Sequence, residues 1–256
     1  KGSVMRLSQD GLTEISNYGM YDFFRDRLSL TNMGSLGKLI GGWDIHNKCY
    51  TLSIQPTVGQ ATGEQAITLS FDEQVQGWTS FYSYVPSHML SLNNSFYSFD
   101  LGGDLYQHYS DNVNRANFYG NNSNSSVTTV FNAKPSMIKN FQTINYEGDS
   151  NWSLNLFQTN TDSANQIDVF SMPTTLAEME NALLKNQFKA KENKYFANLI
   201  NTSTVNQGEV VYGKEISGVK GFYATVRLSA TNLVGGGLNG TNELFAVSTN
   251  YKESSY

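Results

Sequence analysis

Tyr50-Thr51-Leu52-Ser53-Ile54-Gln55 decides how this chain folds, because apolar and polar residues trade places at every step. A strand sends successive side chains to opposite faces, so Tyr50, Leu52 and Ile54 share one face and Thr51, Ser53 and Gln55 the other. The two-residue period returns where Ile67, Leu69 and Phe71 alternate with Thr68, Ser70 and Asp72. It recurs at Val127, Thr129 and Phe131, at Trp152, Leu154 and Leu156, and at Phe222, Ala224, Val226 and Leu228. Turn residues separate these runs. Trp43 and Tyr50 bracket Asp44-Ile45-His46-Asn47, and Phe96–Phe99 and Leu105–Tyr109 flank Asp100-Leu101-Gly102-Gly103-Asp104, where glycine can take positive φ. Many short strands joined in this way predict an all-β, mainly antiparallel fold, propeller-like or another multi-sheet architecture.

One segment departs from the pattern. Thr175 and Glu178 form a capping-box pair ahead of Leu176, Met179, Leu183, Leu184 and Phe188, which fall on one helical stripe after Pro173. The spacing predicts one inserted amphipathic helix over 175–189, and Tyr21–Leu28 predicts a shorter one. The chain is therefore expected to divide into a β-blade region at 1–172, a helical insertion at 173–190 and C-terminal strands at 191–256 that pack back on the β region. Gly120–Ser126 and Leu233–Thr241 read as exposed loops suited to contacts between subunits.

Composition narrows the function classes. The 256 residues fit one large all-β domain or two smaller ones. Only 15% are charged against 39% hydrophobic, and the 15 Tyr and 15 Phe suit half-buried pleated surfaces. Net charge is −5 with a pI near 5.2, and no basic cluster offers phosphate contacts, so tight nucleic-acid binding is not expected. No apolar run approaches the roughly 20 residues that cross a bilayer, so no membrane span is expected. The opening Lys1-Gly2-Ser3-Val4 has no signal-peptide pattern. Cys49 is the single cysteine, which rules out an internal disulfide and favours a reducing compartment.

No residue set reads as a catalytic, cofactor-binding or metal site. His46, His88 and His108 lack metal-ligand spacing. Cys49 sits in a strand and reads as a packed thiol. Gly235-Gly236-Gly237-Leu238-Asn239-Gly240 lacks the Lys-Ser/Thr pair and the following helix of a phosphate loop. The acidic pairs Asp72/Glu73 and Glu147/Asp149 have the residue type of a glycosidase but fall at strand ends, where carboxylates belong to turns. Asp100 and Asp104 do not match the dense oxygen spacing of a calcium loop. The expectation is a non-enzymatic protein without a cofactor. Stacking of Trp43, Trp78 and Trp152 on sugars is the alternative reading, with core packing as the simpler use of those rings.

Several stretches taken in order carry a resemblance. They are Arg6-Leu7-Ser8 with Asp10-Gly11-Leu12, Ile40-Gly41-Gly42-Trp43-Asp44, and Gly77-Trp78-Thr79-Ser80-Phe81-Tyr82-Ser83-Tyr84-Val85-Pro86. Asn93-Asn94-Ser95-Phe96-Tyr97-Ser98-Phe99 and Leu105-Tyr106-Gln107-His108 follow. Lys134-Pro135, Lys139-Asn140-Phe141, Lys191-Glu192-Asn193-Lys194-Tyr195-Phe196 and Glu243-Leu244-Phe245-Ala246-Val247 complete the set. Together they resemble virion structural proteins of crAss-like tailed bacteriophages, of the tail muzzle or nozzle type. The resemblance implies a C-terminal portion of a longer protein, a subunit of a homo-oligomeric ring that forms or closes the DNA exit channel. It implies as partners other copies of the chain, other tail or portal-proximal proteins and transiently passing DNA, in a virion assembled in the bacterial host cytoplasm. A receptor- or glycan-binding module of the phage is the alternative.

Overall fold

The computed structural model describes residues 2–9, 11–57, 65–160, 167–171, 188–201, 216–230 and 242–253. Antiparallel strands dominate, as the alternation predicts, arranged in several sheets with two short helices and no closed barrel among the described residues. The multi-sheet form of the expected fold is the one found. The chain divides into two compact units: 1–113 with 117–121, and 114–116 with 122–256.

In the first unit, β1 (Met5–Ser8) and β2 (Gly11–Glu14) make a hairpin. The helices α1 (Tyr21–Arg27) and α2 (Leu30–Met33) follow, and Ser29 caps α2 by accepting from the Asn32 N–H at 3.2 Å. The α1 helix realises the short helix expected at Tyr21–Leu28. Next, β3 (Lys38–Asp44), β4 (Cys49–Gln55), β5 (Ile67–Asp72) and β6 (Gly77–Tyr82) form a four-stranded meander in which Trp43 faces Tyr50 across the expected turn. A three-stranded sheet of β7 (His88–Leu92), β8 (Ser95–Phe99) and β9 (Leu105–Gln107) includes the expected Asp100–Asp104 hairpin. Finally, β10 (Asn117–Phe118) and β11 (Asn121–Asn122) lie where the chain passes between units.

The two middle strands of the meander, β4 and β5, are buried on both sides. Their apolar face sets Leu52, Ile54 and Leu69 against Phe24 of α1, with Trp78, Tyr50 and Ile67 around them. Each such side chain contributes roughly 1.5–3 kcal/mol by leaving water. Trp78 packs 4.6 Å from the Phe24 ring and donates its indole N–H to the Ile15 carbonyl at 3.0 Å. The polar face is equally dry, with Thr51, Ser53, Thr68 and Ser70 no more than 1% exposed. Thr68 Oγ1 donates to the Tyr84 carbonyl at 2.6 Å and lies 3.0 Å from Ser53 Oγ. Buried hydroxyls are tolerable only when paired in this way.

The second unit contains β12 (Ser125–Phe131), β13 (Lys139–Gly148), β14 (Trp152–Asn160), β15 (Ile167–Ser171), β16 (Lys189–Lys191), β17 (Lys194–Asn198), β18 (Ile200–Asn201), β19 (Ile216–Ser217), β20 (Val219–Gly221), β21 (Ala224–Ala230) and β22 (Leu244–Glu253). One sheet runs β12-β21-β14-β15. In the other, β13 pairs along one edge with β22 and along the opposite edge with β17 and then β20. The facing sides bury Phe141, Ile144, Tyr146, Leu154, Phe157, Val226 and Leu228 in one core. The period of β21 holds as expected, with Ala224, Val226 and Leu228 fully buried. In β14 the register shifts between Leu154 and Leu156, so Phe157 at 0% exposure replaces Leu156 as the inward residue. A bulge reverses the faces of the residues that follow it.

The expected 175–189 helix falls mostly on 172–187, which lie outside the described residues, as does the Leu233–Thr241 loop. Lys189, its last residue, begins a strand. Gly218 joins the two edge segments: its N–H donates to the Leu199 carbonyl at 2.8 Å, and its φ is +90°. A Cβ there would stand 2.1 Å from Asn140 Oδ1 and 2.9 Å from the Phe141 carbonyl oxygen. Gly218→Ala therefore combines a left-handed backbone with overpacking and is expected to destabilise the second unit by roughly 2–4 kcal/mol. Denaturant unfolding followed at Trp152 measures this, and an unchanged midpoint would contradict the packing described.

Candidate functional site

The tight β3–β4 turn places a carboxylate inside the first unit. Asp44 is 1% exposed, and its Oδ1 accepts from the backbone N–H groups of His46 at 2.9 Å and Asn47 at 3.2 Å. Its Oδ2 accepts from the Tyr109 hydroxyl, which in turn accepts from Asn47 Nδ2 at 2.7 Å. The His46 ring stacks on Tyr109 with centroids 4.1 Å apart. Burial pushes the Tyr109 hydroxyl far above its ordinary range, and its bond to the Asp44 carboxylate adds to the shift. Asp44 is thus committed to holding a turn and a tyrosine.

A Ser–His pair lies nearby on β8 and just after β9. Ser98 Oγ sits 2.6 Å from His108 Nε2 and 2.7 Å from the Tyr119 hydroxyl. The His108 ring is enclosed by Tyr84 at 5.0 Å and Phe96 at 4.9 Å. Burial lowers the His108 pKa to about 4, against the opposing pull of the Asp44 charge. A nucleophile needs an open side toward its substrate. Ser98 is 0% exposed and already engaged by two partners, so the pair is structural.

The other sequence candidates are scattered. Cys49 is buried, and burial raises its thiol pKa away from the reactive thiolate. Asp72 accepts from the Gln74 N–H at 2.7 Å in a turn, while Glu73 meets Arg6 at 3.2 Å. Glu147 pairs with Lys194, and Asp149 Oδ2 accepts from the Glu243 N–H at 2.6 Å. Asp100 Oδ1 caps the Asp104 N–H at 2.9 Å. His88 is exposed on β7. The glycine run at 235–240 lies outside the described residues. No group of three or more His, Cys, Asp or Glu gathers as a metal cluster among the described residues. No helix there is long and apolar enough to cross a membrane.

What the first unit does present is an apolar sheet face. Register sets Leu90 opposite Tyr97 and Phe99 opposite Leu105, so these four and Leu92 share one side of β7–β9 with His88, Ser95 and Gln107. Leu90 is 38%, Leu92 59% and Leu105 56% exposed, while Phe96 and Ser98 on the reverse side are fully buried. The β1–β2 hairpin repeats the arrangement on a smaller scale, with Leu7 opposite Leu12 and both largely exposed. Sequence reasoning missed this surface. Its signal is that Ser95-Phe96-Tyr97-Ser98-Phe99 carries aromatic rings at both parities, so each side of β8 is adhesive.

Residues 113–202 match the Crassvirus muzzle protein C-terminal domain. The muzzle match bears out the resemblance read from the sequence over 113–202, and a muzzle domain implies a structural component of a phage tail. The matched muzzle segment takes in β10 to β18, including Lys139-Asn140-Phe141 and Lys191–Phe196, but not β19, β20, β21 or β22. No curated protein matches the chain.

His108 yields a pH dependence whose sign follows from its lowered pKa. The unfolded chain takes up a proton near the ordinary value of 6.5 while the folded site refuses it until about 4. The stabilisation is complete above pH 6.5 and is lost as the pH falls toward 4, on the order of 3 kcal/mol across that window. Thermal unfolding of the first unit between pH 7 and pH 4 should show this loss in the wild type and a flatter profile in His108→Gln.

Proposed function

We propose that the chain is a subunit of a symmetric ring in the phage tail, where several identical copies form or close the DNA exit channel. The single observation that carries the reading is the exposure, among the described residues, of Leu90, Leu92 and Leu105 on one face of β7–β9 in a chain with few charges. A monomer rarely leaves so many aliphatic and aromatic side chains together in water, and such patches mark contacts with other proteins. A closed ring needs two different complementary surfaces on each copy, and the β1–β2 hairpin with Leu7 and Leu12 offers a second one. Rings grown from such contacts would also join other tail or portal-proximal proteins during assembly in the host cytoplasm.

The acidic balance suits a channel through which DNA slides. With a net charge of −5 the chain does not hold the phosphate backbone by counterion release. The glycan-binding alternative is weaker. Trp78 and Trp152 spend their indole N–H groups on the Ile15 and Glu243 carbonyls, and Trp43 alone of the three keeps an exposed face at 45%.

Placing lysine on the apolar face, as Leu92→Lys with Leu105→Lys, should leave folding within about 0.5 kcal/mol of wild type because both positions are exposed. The same variant should fail to incorporate into particles. A virion reconstruction that found isolated copies at fibre tips, instead of a ring on the tail axis, would contradict the ring.

A further inference from the structure

The strand β12 reads Ser125-Ser126-Val127-Thr128-Thr129-Val130-Phe131, with no charge, no glycine and no proline. It pairs with β21 without a register shift, from Ser125 opposite Ala230 to Phe131 opposite Ala224. Among the described residues no strand pairs with its other side. Val127 shares the parity of Phe131, which packs on the core, yet it is 37% exposed, and Val130 on the outer parity is 57% exposed. Water therefore reaches both faces of this edge. An edge strand leaves a row of N–H and C=O groups without partners, and folded proteins usually guard it by short length, lysines, proline or a bulge. Two other edges of the second unit are guarded in this way. The strand β16 is only Lys189-Ala190-Lys191, and β22 ends in Lys252-Glu253 and shifts register twice against β13. The β12 edge has none of these devices.

We propose that β12 is a pairing edge for β12 of a second copy, the two strands lying antiparallel about Thr128. That centre is the one antiparallel register that pairs every residue of the strand. It sets Val127 against Thr129 and Ser125 against Phe131 on the core side, and Ser126 against Val130 and Thr128 against Thr128 on the outer side. Pairs of β-branched residues and of threonines stabilise a ladder, whereas like charges set opposite each other weaken it. A strand that meets its own copy sets any charge it carries near a like charge, as Lys189 and Lys191 would be on β16, and β12 carries none. Arg227, whose Nε donates to Thr128 Oγ1 at 3.2 Å, stands one strand in on β21 and is exposed to water. Three strand spacings, about 14 Å, separate the backbones of the two Arg227 residues, which leaves their side chains room to stay apart. The contact is isologous where the ring contacts are heterologous, so it holds whether or not the chain forms a ring.

Single cysteines test the register in the full chain, with the buried Cys49 retained in each variant. In Thr128→Cys the two introduced positions stand directly opposite, about 4.5–5.5 Å between Cα atoms and within disulfide reach. In Val130→Cys they are offset along the strands by roughly 13 Å, out of reach. Under mild oxidation with a glutathione couple, Thr128→Cys should form disulfide-linked pairs about tenfold faster than Val130→Cys. Random collision would instead favour Val130→Cys, the more exposed site or its equal. Adding Val127→Lys to Thr128→Cys puts an ammonium where the second strand would cover it, so linking should fall to the Val130→Cys level. Equal linking of the two cysteines, or linking that Val127→Lys leaves unchanged, would overturn the pairing. So would association without linking at position 128, which would belong to another surface such as β7–β9. Amide protection of 125–131 in assembled particles but not in the concentrated free chain would assign the edge to a strand of a different protein and overturn self-pairing.

Discussion

The second unit stands on the pairing of β13 with β22, two strands about a hundred residues apart in the chain. The ladder runs from Lys139 opposite Glu253 to Gly148 opposite Leu244, the full length of both strands. Closing so long a loop costs entropy that local contacts do not return, so the core beneath the ladder has to repay it. That core is the row Phe141, Ile144 and Tyr146, none more than 1% exposed, facing Val226 and Leu228 of the opposite sheet. At the end of the ladder a buried lysine secures the β12–β13 connection. Lys139 is 0% exposed and donates to the carbonyls of Lys134 at 3.0 Å and Met137 at 2.9 Å, while Lys134 itself pairs with Glu253. Burial lowers the Lys139 pKa, and the Glu253 charge opposes the shift. The C-terminal strand is thereby fixed by backbone, core and charge together.

This constraint bears on the muzzle match. The matched stretch ends at 202, yet β21 lies between β12 and β14 and β22 covers the whole of β13. Without the later strands one sheet loses its middle and the other an entire edge. The sandwich is therefore a unit that reaches 253. The first unit differs in kind. Its meander is closed by oil on one side and by paired hydroxyls, a carboxylate and tyrosines on the other. Buried polar networks of this sort favour one arrangement over near alternatives, because a shifted register leaves several groups unpaired.

Much of this was legible in the strand periods. Alternation located β4, β5, β14 and β21, and turn chemistry located the Asp44–Asn47 and Asp100–Asp104 hairpins. Two things were not. Alternation separates two faces without saying which is wet, so it could not tell that Thr51, Ser53, Thr68 and Ser70 lie in a dry interior. A period of two also carries no information about a bulge, which is how Phe157 took the place expected for Leu156. The surface of β7–β9 was obscured for a related reason: with Met89 and Leu90, or Phe96 and Tyr97, adjacent in the strand, neither parity reads as the outside.

The claim that the second unit is a sandwich completed by strands beyond the matched segment is tested most directly by amide exchange on a chain ending at Asn201. The account expects protection to collapse in 141–147 and 152–159, which lose β20, β21 and β22, while 49–55 and 67–72 of the first unit keep theirs. Full protection of 141–147 and 152–159 in the shortened chain would contradict it.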